Sequence, residues 1–222
     1  MAGKTGSGKT FAARRLLEWV RVDDTDTSKK YYPGVAPGSL YPRNHIIGYD
    51  AKGLIRWPGY TRVTTFDDLL RKANNPKKFK RIMYAPKAKE LRDRDLHERF
   101  FRLCYERGNN TVYVDEWYAL VRGEEYPDAA HAILTRGREM NVPLIGCSQR
   151  PKNIAQPIMS EADVFFAFQL KMPQDRKKVA EMIPIDQELL MPQALPKHHY
   201  YFYRDGDDEV VGPRKFVDAR RT

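Results

Sequence analysis

The residues Gly3-Lys4-Thr5-Gly6-Ser7-Gly8-Lys9-Thr10 carry the spacing G-x4-G-K-T. Small residues let a backbone curl until successive N–H groups point inward, and such a nest binds phosphate oxygens. A helix beginning at Lys9 would turn its positive end towards the same anion. The Lys9 ammonium would reach the β and γ phosphates of a nucleoside triphosphate, and the Thr10 hydroxyl would ligate magnesium. Further along, the apolar run Val112-Tyr113-Val114 delivers two adjacent acids, Asp115 and Glu116. A strand tip in this order places Asp115 beside the metal, usually through its water shell. Glu116 then faces the γ phosphate, where it can polarise an attacking water.

A third stretch, "LTRGREMNVPLIGCSQRP" at 134–151, ends a strand in Ser148-Gln149. An amide at a strand tip beside a phosphate loop can sense the γ phosphate and position water; the bland alternative is that Gln149 caps a turn. Arg136 and Arg138 precede this strand. A guanidinium offered to a neighbouring subunit's nucleotide would stabilise transition-state charge, and the alternative is a pair of surface ion pairs.

These groups need elements to hold them. Apolar residues at helical spacing (Phe11, Leu16, Leu17, Val20) predict a helix over 9–21. Further helices are expected at 66–74, 94–109, 128–140 and 173–183, and strands at 45–50, 79–86, 111–117, 142–149 and 162–170. A hairpin is expected at 198–213, and residues 22–44, with Pro33, Pro37 and Pro42, read as a long loop. Strands alternating with helices imply an α/β fold with a mainly parallel sheet.

"GKTGSGKT", "VYVDEW" and "TRGREMNVPLIGCSQRPKNI", in this order, resemble the FtsK–HerA superfamily of DNA-pumping ATPases. "SQRP" is similar to the family's usual Thr-Gln-Arg-Pro, and "IIGYDAKG" to its second strand, which commonly ends in Asp-x-Lys-Gly. The small size looks most like viral genome-packaging ATPases. The resemblance implies a P-loop NTPase fold of the RecA-like ASCE type, with a core over 1–185 and an extension with a β-hairpin over 186–222. It implies ATP and Mg²⁺ bound by residues 3–10, with Thr10 and Asp115 on the metal, Glu116 as general base and Gln149 as sensor. Arg138, by its distance from Gln149, is the better candidate for an arginine finger, with Arg136 second. Asp50 and Lys52 match the pattern but receive no firm role. It further implies a ring of five or six subunits with double-stranded DNA in its channel, packaging or capsid-vertex proteins as partners, and a place in the host cytoplasm or on the virion. The family places an apolar strand before the phosphate loop. Only Met1 and Ala2 precede Gly3 here, so a strand upstream of Met1 is expected; the alternative is that another segment supplies the central strand.

Composition fits this picture. The 222 residues are 41% hydrophobic and 31% charged, which suits a globular chain rather than a disordered one. The net charge of +10 favours a polyanionic partner. Cys104 and Cys147 each sit in apolar runs without metal-ligand companions and read as buried free thiols. With no apolar run of about 18 residues, no membrane span is expected, nor is a signal peptide. "KHHYYFYR" at 197–204 reads as a strand with one buried face, although its aromatics could also stack on bases. The basic segments 74–81 and 85–94 either face a phosphate backbone or are solvated surface. Trp19, Trp57 and Trp117 read as packing residues. Two other functions remain open: a Zot-like filamentous-phage assembly ATPase, whose usual membrane helix is missing from the sequence, and a non-hydrolysing nucleotide-binding scaffold, which would have no use for Glu116.

Overall fold

The computed structural model describes residues 1–19, 45–120 and 125–215, with backbone only at 18 and 19. The expected loop at 22–44, the end of the first predicted helix and the Trp19 side chain lie outside the described residues. In chain order the elements are α1 (Lys9–Trp19), β1 (His45–Tyr49), β2 (Thr61–Val63), α2 (Phe66–Ala73), β3 (Arg81–Tyr84), α3 (Arg94–Arg107) and β4 (Asn110–Val114). They continue with α4 (Asp128–Arg136), β5 (Leu144–Gly146), α5 (Gln156–Ser160), β6 (Val164–Phe168), α6 (Pro173–Ala180), β7 (His199–Arg204) and β8 (Val211–Lys215).

β4 is buried at every position, as a central strand of a parallel sheet covered on both faces must be. It pairs in parallel with β1 on one side and β5 on the other, and β3 and β2 extend the sheet beyond β1 to give the order β2-β3-β1-β4-β5. A second, antiparallel sheet has the order β6-β7-β8. The mainly parallel sheet with a small C-terminal hairpin is the expected architecture.

The first residues lie between the two sheets. Ala2 forms parallel bridges to Ser148, just past β5, and to Ala167 in β6. The ladder is dense. The Met1 amine donates to the Gly146 carbonyl at 2.7 Å, Ser148 N–H to the Met1 carbonyl at 2.9 Å and Gly3 N–H to the Ser148 carbonyl at 3.1 Å. On the other side Ala2 N–H donates to the Phe166 carbonyl at 2.9 Å and Phe168 N–H to the Ala2 carbonyl at 2.8 Å. Met1–Gly3 thus take the position from which the phosphate loop must spring.

Helices cover both faces. Leu69 of α2, Phe100, Phe101 and Cys104 of α3 and Ile133 of α4 pack on one face against Ile47, Tyr49, Ile82, Tyr84, Val112 and Val114. On the other face α1 places Ala13 and Leu17 beside Ile46, Met83, Tyr113, Ile145 and Cys147. The opposite side of α1 puts Ala12 and Leu16 against Phe166, Phe168, Tyr200 and Phe202 of the second sheet, so α1 bridges the two. Asp93 and Thr65 cap α3 and α2 through their side-chain oxygens, and Gly108 ends α3 with φ +62°.

α4 stops at Arg136, short of the expected 140, because the chain folds tightly at Gly137. A Cβ there would collide with the Ile133 carbonyl and lie 2.8 Å from that of Val142. β2 and α5 were not expected. At 3 and 5 residues they are too short to show periodicity. No helix among the described residues is long and apolar enough to cross a membrane.

Both cysteines are buried free thiols. Burial pushes the Cys147 thiol up to about 11 and raises Cys104 as well. The native protein should therefore leave both thiols unlabelled by a disulfide reagent at mildly alkaline pH, and denaturant should release both. One equivalent reacting quickly in the native state would contradict this packing.

Candidate nucleotide site

The phosphate loop turns through Gly6 (φ +72°) and Gly8 (φ +112°), conformations that residues with a Cβ rarely adopt. Gly3 is required for a different reason: a Cβ on it would lie 2.5 Å from Phe168 Cβ and 2.7 Å from Ser7 Oγ. Lys4 N–H extends the ladder to the Gln169 carbonyl at 2.7 Å. The Lys9 ammonium folds back over the loop, donating to the carbonyls of Gly3 and, at 3.0 Å, Lys4. Burial lowers its pKa from the ordinary lysine value. An anion in the loop would counter that, since it favours the charged form. Ser7 Oγ is buried in the loop with no hydrogen-bond partner among the described residues.

β1, β4 and β5 run in parallel, so their C-terminal ends meet at this loop. Thr10 Oγ1 donates to Asp115 Oδ1 at 2.9 Å. The same oxygen accepts from the Tyr113 hydroxyl at 2.8 Å. Burial pushes the Tyr113 phenol well above its ordinary value, so it stays a donor. Glu116 Oε1 accepts from Ser148 Oγ at 3.3 Å and from the Gln149 N–H at 3.0 Å. The Gln149 side chain in turn accepts from Thr5 Oγ1 at 2.5 Å. Lys52, at the tip of β1, brings its ammonium within 3.3 Å of Glu116 Oε2 and 3.8 Å of Asp115 Oδ2.

Seven of the predicted groups therefore converge: Lys4, Thr5, Lys9 and Thr10 of the loop with Asp115, Glu116 and Gln149. Asp50 serves the backbone. It is fully buried, and its Oδ2 accepts from Ile55 N–H at 2.7 Å. Arg136 and Arg138 are elsewhere. They precede β5, at the end of the sheet opposite the loop, and Arg138 pairs at 3.2 Å with Asp163, which precedes β6. The Arg138 side chain is 91% exposed. Neither arginine can serve this chain's own loop.

Tyr113 and Ser148 were missed as site residues, and Lys52 matched the family's Asp-x-Lys-Gly pattern without receiving a role. Parity offered a signal for the first, since Tyr113 and Asp115 share a face of the strand. The donor set fits magnesium. A threonine hydroxyl and a carboxylate 2.9 Å apart beside the loop are hard oxygen ligands. Among the described residues no group of three or more His, Cys, Asp or Glu side chains could hold a metal.

This arrangement on this sheet is that of a P-loop NTPase. No family model matches the chain. Over 110 residues it is 37% identical to the DNA packaging ATPase P9 of Enterobacteria phage PRD1, a match taking in 47% of this chain and 47% of that protein. The chain thus spans about half the length of the curated relative it matches. Among solved structures, the genome packaging NTPase B204 of Sulfolobus turreted icosahedral virus 2, in complex with AMPPCP, superposes with a TM-score of 0.69 at 14% identity, covering 97% of this chain and 96% of that one. The same protein with ATP-gammaS gives 0.69 at 15% identity with the same coverage. The likeness to viral genome-packaging ATPases read from the motifs is borne out by the P9 match, and the B204 structures share the fold.

Tyr113→Phe removes one donor from Asp115 and leaves the packing intact. It should raise the Mg²⁺ concentration needed for half-maximal nucleotide turnover by about tenfold, as loss of an outer-shell partner does. The check is a Mg²⁺ titration at fixed nucleotide, with the melting temperature confirming the fold.

Proposed function

We propose that this chain is an ATP-hydrolysing motor that packages a viral genome by translocating double-stranded DNA. The observation that carries the proposal is the convergence of Lys9, Thr10, Asp115, Glu116 and Gln149 at one end of the sheet, with Arg138 exposed at the other. The loop N–H groups and Lys9 hold the triphosphate. Thr10 and Asp115 hold Mg²⁺, which when bound neutralises phosphate charge. Glu116 takes a proton from the attacking water, and Gln149, tied to Thr5 of the loop, registers the γ phosphate. Gly3, Gly6, Ser7 and Gly8 shape the cradle.

Because the two ends of the sheet carry complementary halves, subunits placed end to side in a ring would each offer Arg138, with Arg136 next to it, to a neighbour's nucleotide. The ring has five or six members. Residues 1–185 form the motor core and 186–222 an extension. Lys77, Lys78, Lys80, Lys87, Lys89 and Arg92 are exposed and supply positive surface for a phosphate backbone. Partners at the capsid vertex and a place in the host cytoplasm or virion follow from the packaging role. The name of the PRD1 relative supports this reading. The buried Glu116, aimed into the site, favours a hydrolase over a nucleotide-binding scaffold.

The test is hydrolysis with and without duplex DNA. Wild type should hydrolyse ATP faster with DNA present. Glu116→Gln should still bind ATP but lose about 10²–10⁴-fold in turnover, the usual worth of a general base. Unchanged turnover in Glu116→Gln would remove the base from the mechanism.

A further inference from the structure

Lys52 has no part in that scheme, yet it holds the catalytic carboxylate. Its backbone is fixed. Asp50 anchors the turn through Ile55 N–H at 2.7 Å, Gly53 N–H donates to the Asp50 carbonyl at 3.1 Å, and Gly53 takes φ +66°. The side chain that leaves this turn is 39% exposed and spans the two acids, 3.3 Å from Glu116 Oε2 and 3.8 Å from Asp115 Oδ2. The other oxygen of Glu116 is held by Ser148 Oγ and Gln149 N–H. Both Glu116 oxygens therefore accept from donors, one of them a full cation. A carboxylate so engaged is a poor base, because taking a proton from water would cost it the ion pair.

A cation shared by two carboxylates will move to a denser anion that arrives within reach. The terminal phosphate of ATP, held over the loop and beside Glu116, is such an anion. We infer that Lys52 is a γ-phosphate-responsive latch: it holds Glu116 while no nucleotide is bound and transfers its ammonium to the terminal phosphate of ATP, releasing the carboxylate. The inference rests on the nucleotide-site reading above. It makes Lys52 a positioning residue that arms the base only when a third phosphate is present. ADP offers nothing at that position, so the pair with Glu116 re-forms after the phosphate leaves. A plain structural ion pair would treat the two nucleotides alike.

The experiment measures calorimetric affinities for a non-hydrolysable ATP analogue and for ADP, both with Mg²⁺, on wild type and three variants. Lys52→Ala should weaken the analogue about tenfold, the scale of one lost charge-assisted hydrogen bond, and leave ADP within about twofold. Lys52→Gln keeps a side-chain N–H donor, one atom shorter than lysine, but not the charge. It should show the same selective loss, and it carries the test if Lys52→Ala does not fold. Lys52→Arg should retain the preference for the analogue. Equal losses for both nucleotides, or no loss in either uncharged variant, would overturn the latch while leaving the site itself in place. A wild-type chain that binds neither nucleotide would overturn the site reading and the latch with it.

Discussion

Gly3 sits where two sheets and a loop meet, and there is no room there for a Cβ between Phe168 and Ser7. The hydrogen bonds of Met1–Lys4 run to Gly146 and Ser148 on one side and to Phe166, Phe168 and Gln169 on the other. This ladder holds the start of the phosphate loop at the same level as the ends of β1, β4 and β5. Thr10 can therefore reach Asp115, and Thr5 can reach Gln149. A shift of the ladder would move the loop away from the acids that it must face. α1 continues from the loop and packs on both sheets, so the ladder and the core fix one another.

Electrostatics follows from that placement. Asp115, Glu116 and Lys9 are all buried within one small volume. Buried charges persist only when paired or hydrogen-bonded. Here Thr10, Tyr113, Ser148, the Gln149 amide and Lys52 supply the partners for the acids, and loop carbonyls accept from Lys9. Bringing a polyanion into such a site rearranges these bonds rather than creating a site from solvent. The proposed site would therefore link nucleotide state to carboxylate geometry. At the far end of the sheet Arg138 makes an exposed pair with Asp163, which costs little to give up.

Chemistry that is local in sequence was legible in it. G-x4-G-K-T, the acids after Val112-Tyr113-Val114, and Gln149 after an apolar run each announce themselves within a few residues. Chemistry assembled across the fold was not. Lys52 meets Glu116 only because β1 and β4 are neighbours in parallel register, and no local pattern fixes that register. Tyr113 looked like core because a tyrosine in an apolar strand usually is, and its hydroxyl matters only through the oxygen two residues on. The position of Met1–Gly3 could not be read from so few residues. The edges of β5 and β6 on either side define it. β6 was legible as a strand, but its antiparallel pairing with β7 rests on contacts more than 30 residues apart.

The central claim is that one chain's loop and acids work with a neighbour's arginine. The most direct measurement mixes Lys9→Ala subunits, whose own loop is disabled, with Arg138→Ala subunits, whose loop is intact, and follows ATP hydrolysis across mixing ratios. Each variant alone should be inactive. In mixed assemblies an intact loop sometimes lies against an intact Arg138, so activity should return in part and peak at intermediate ratios. No recovery at any ratio, with the subunits still assembling together, would contradict the account.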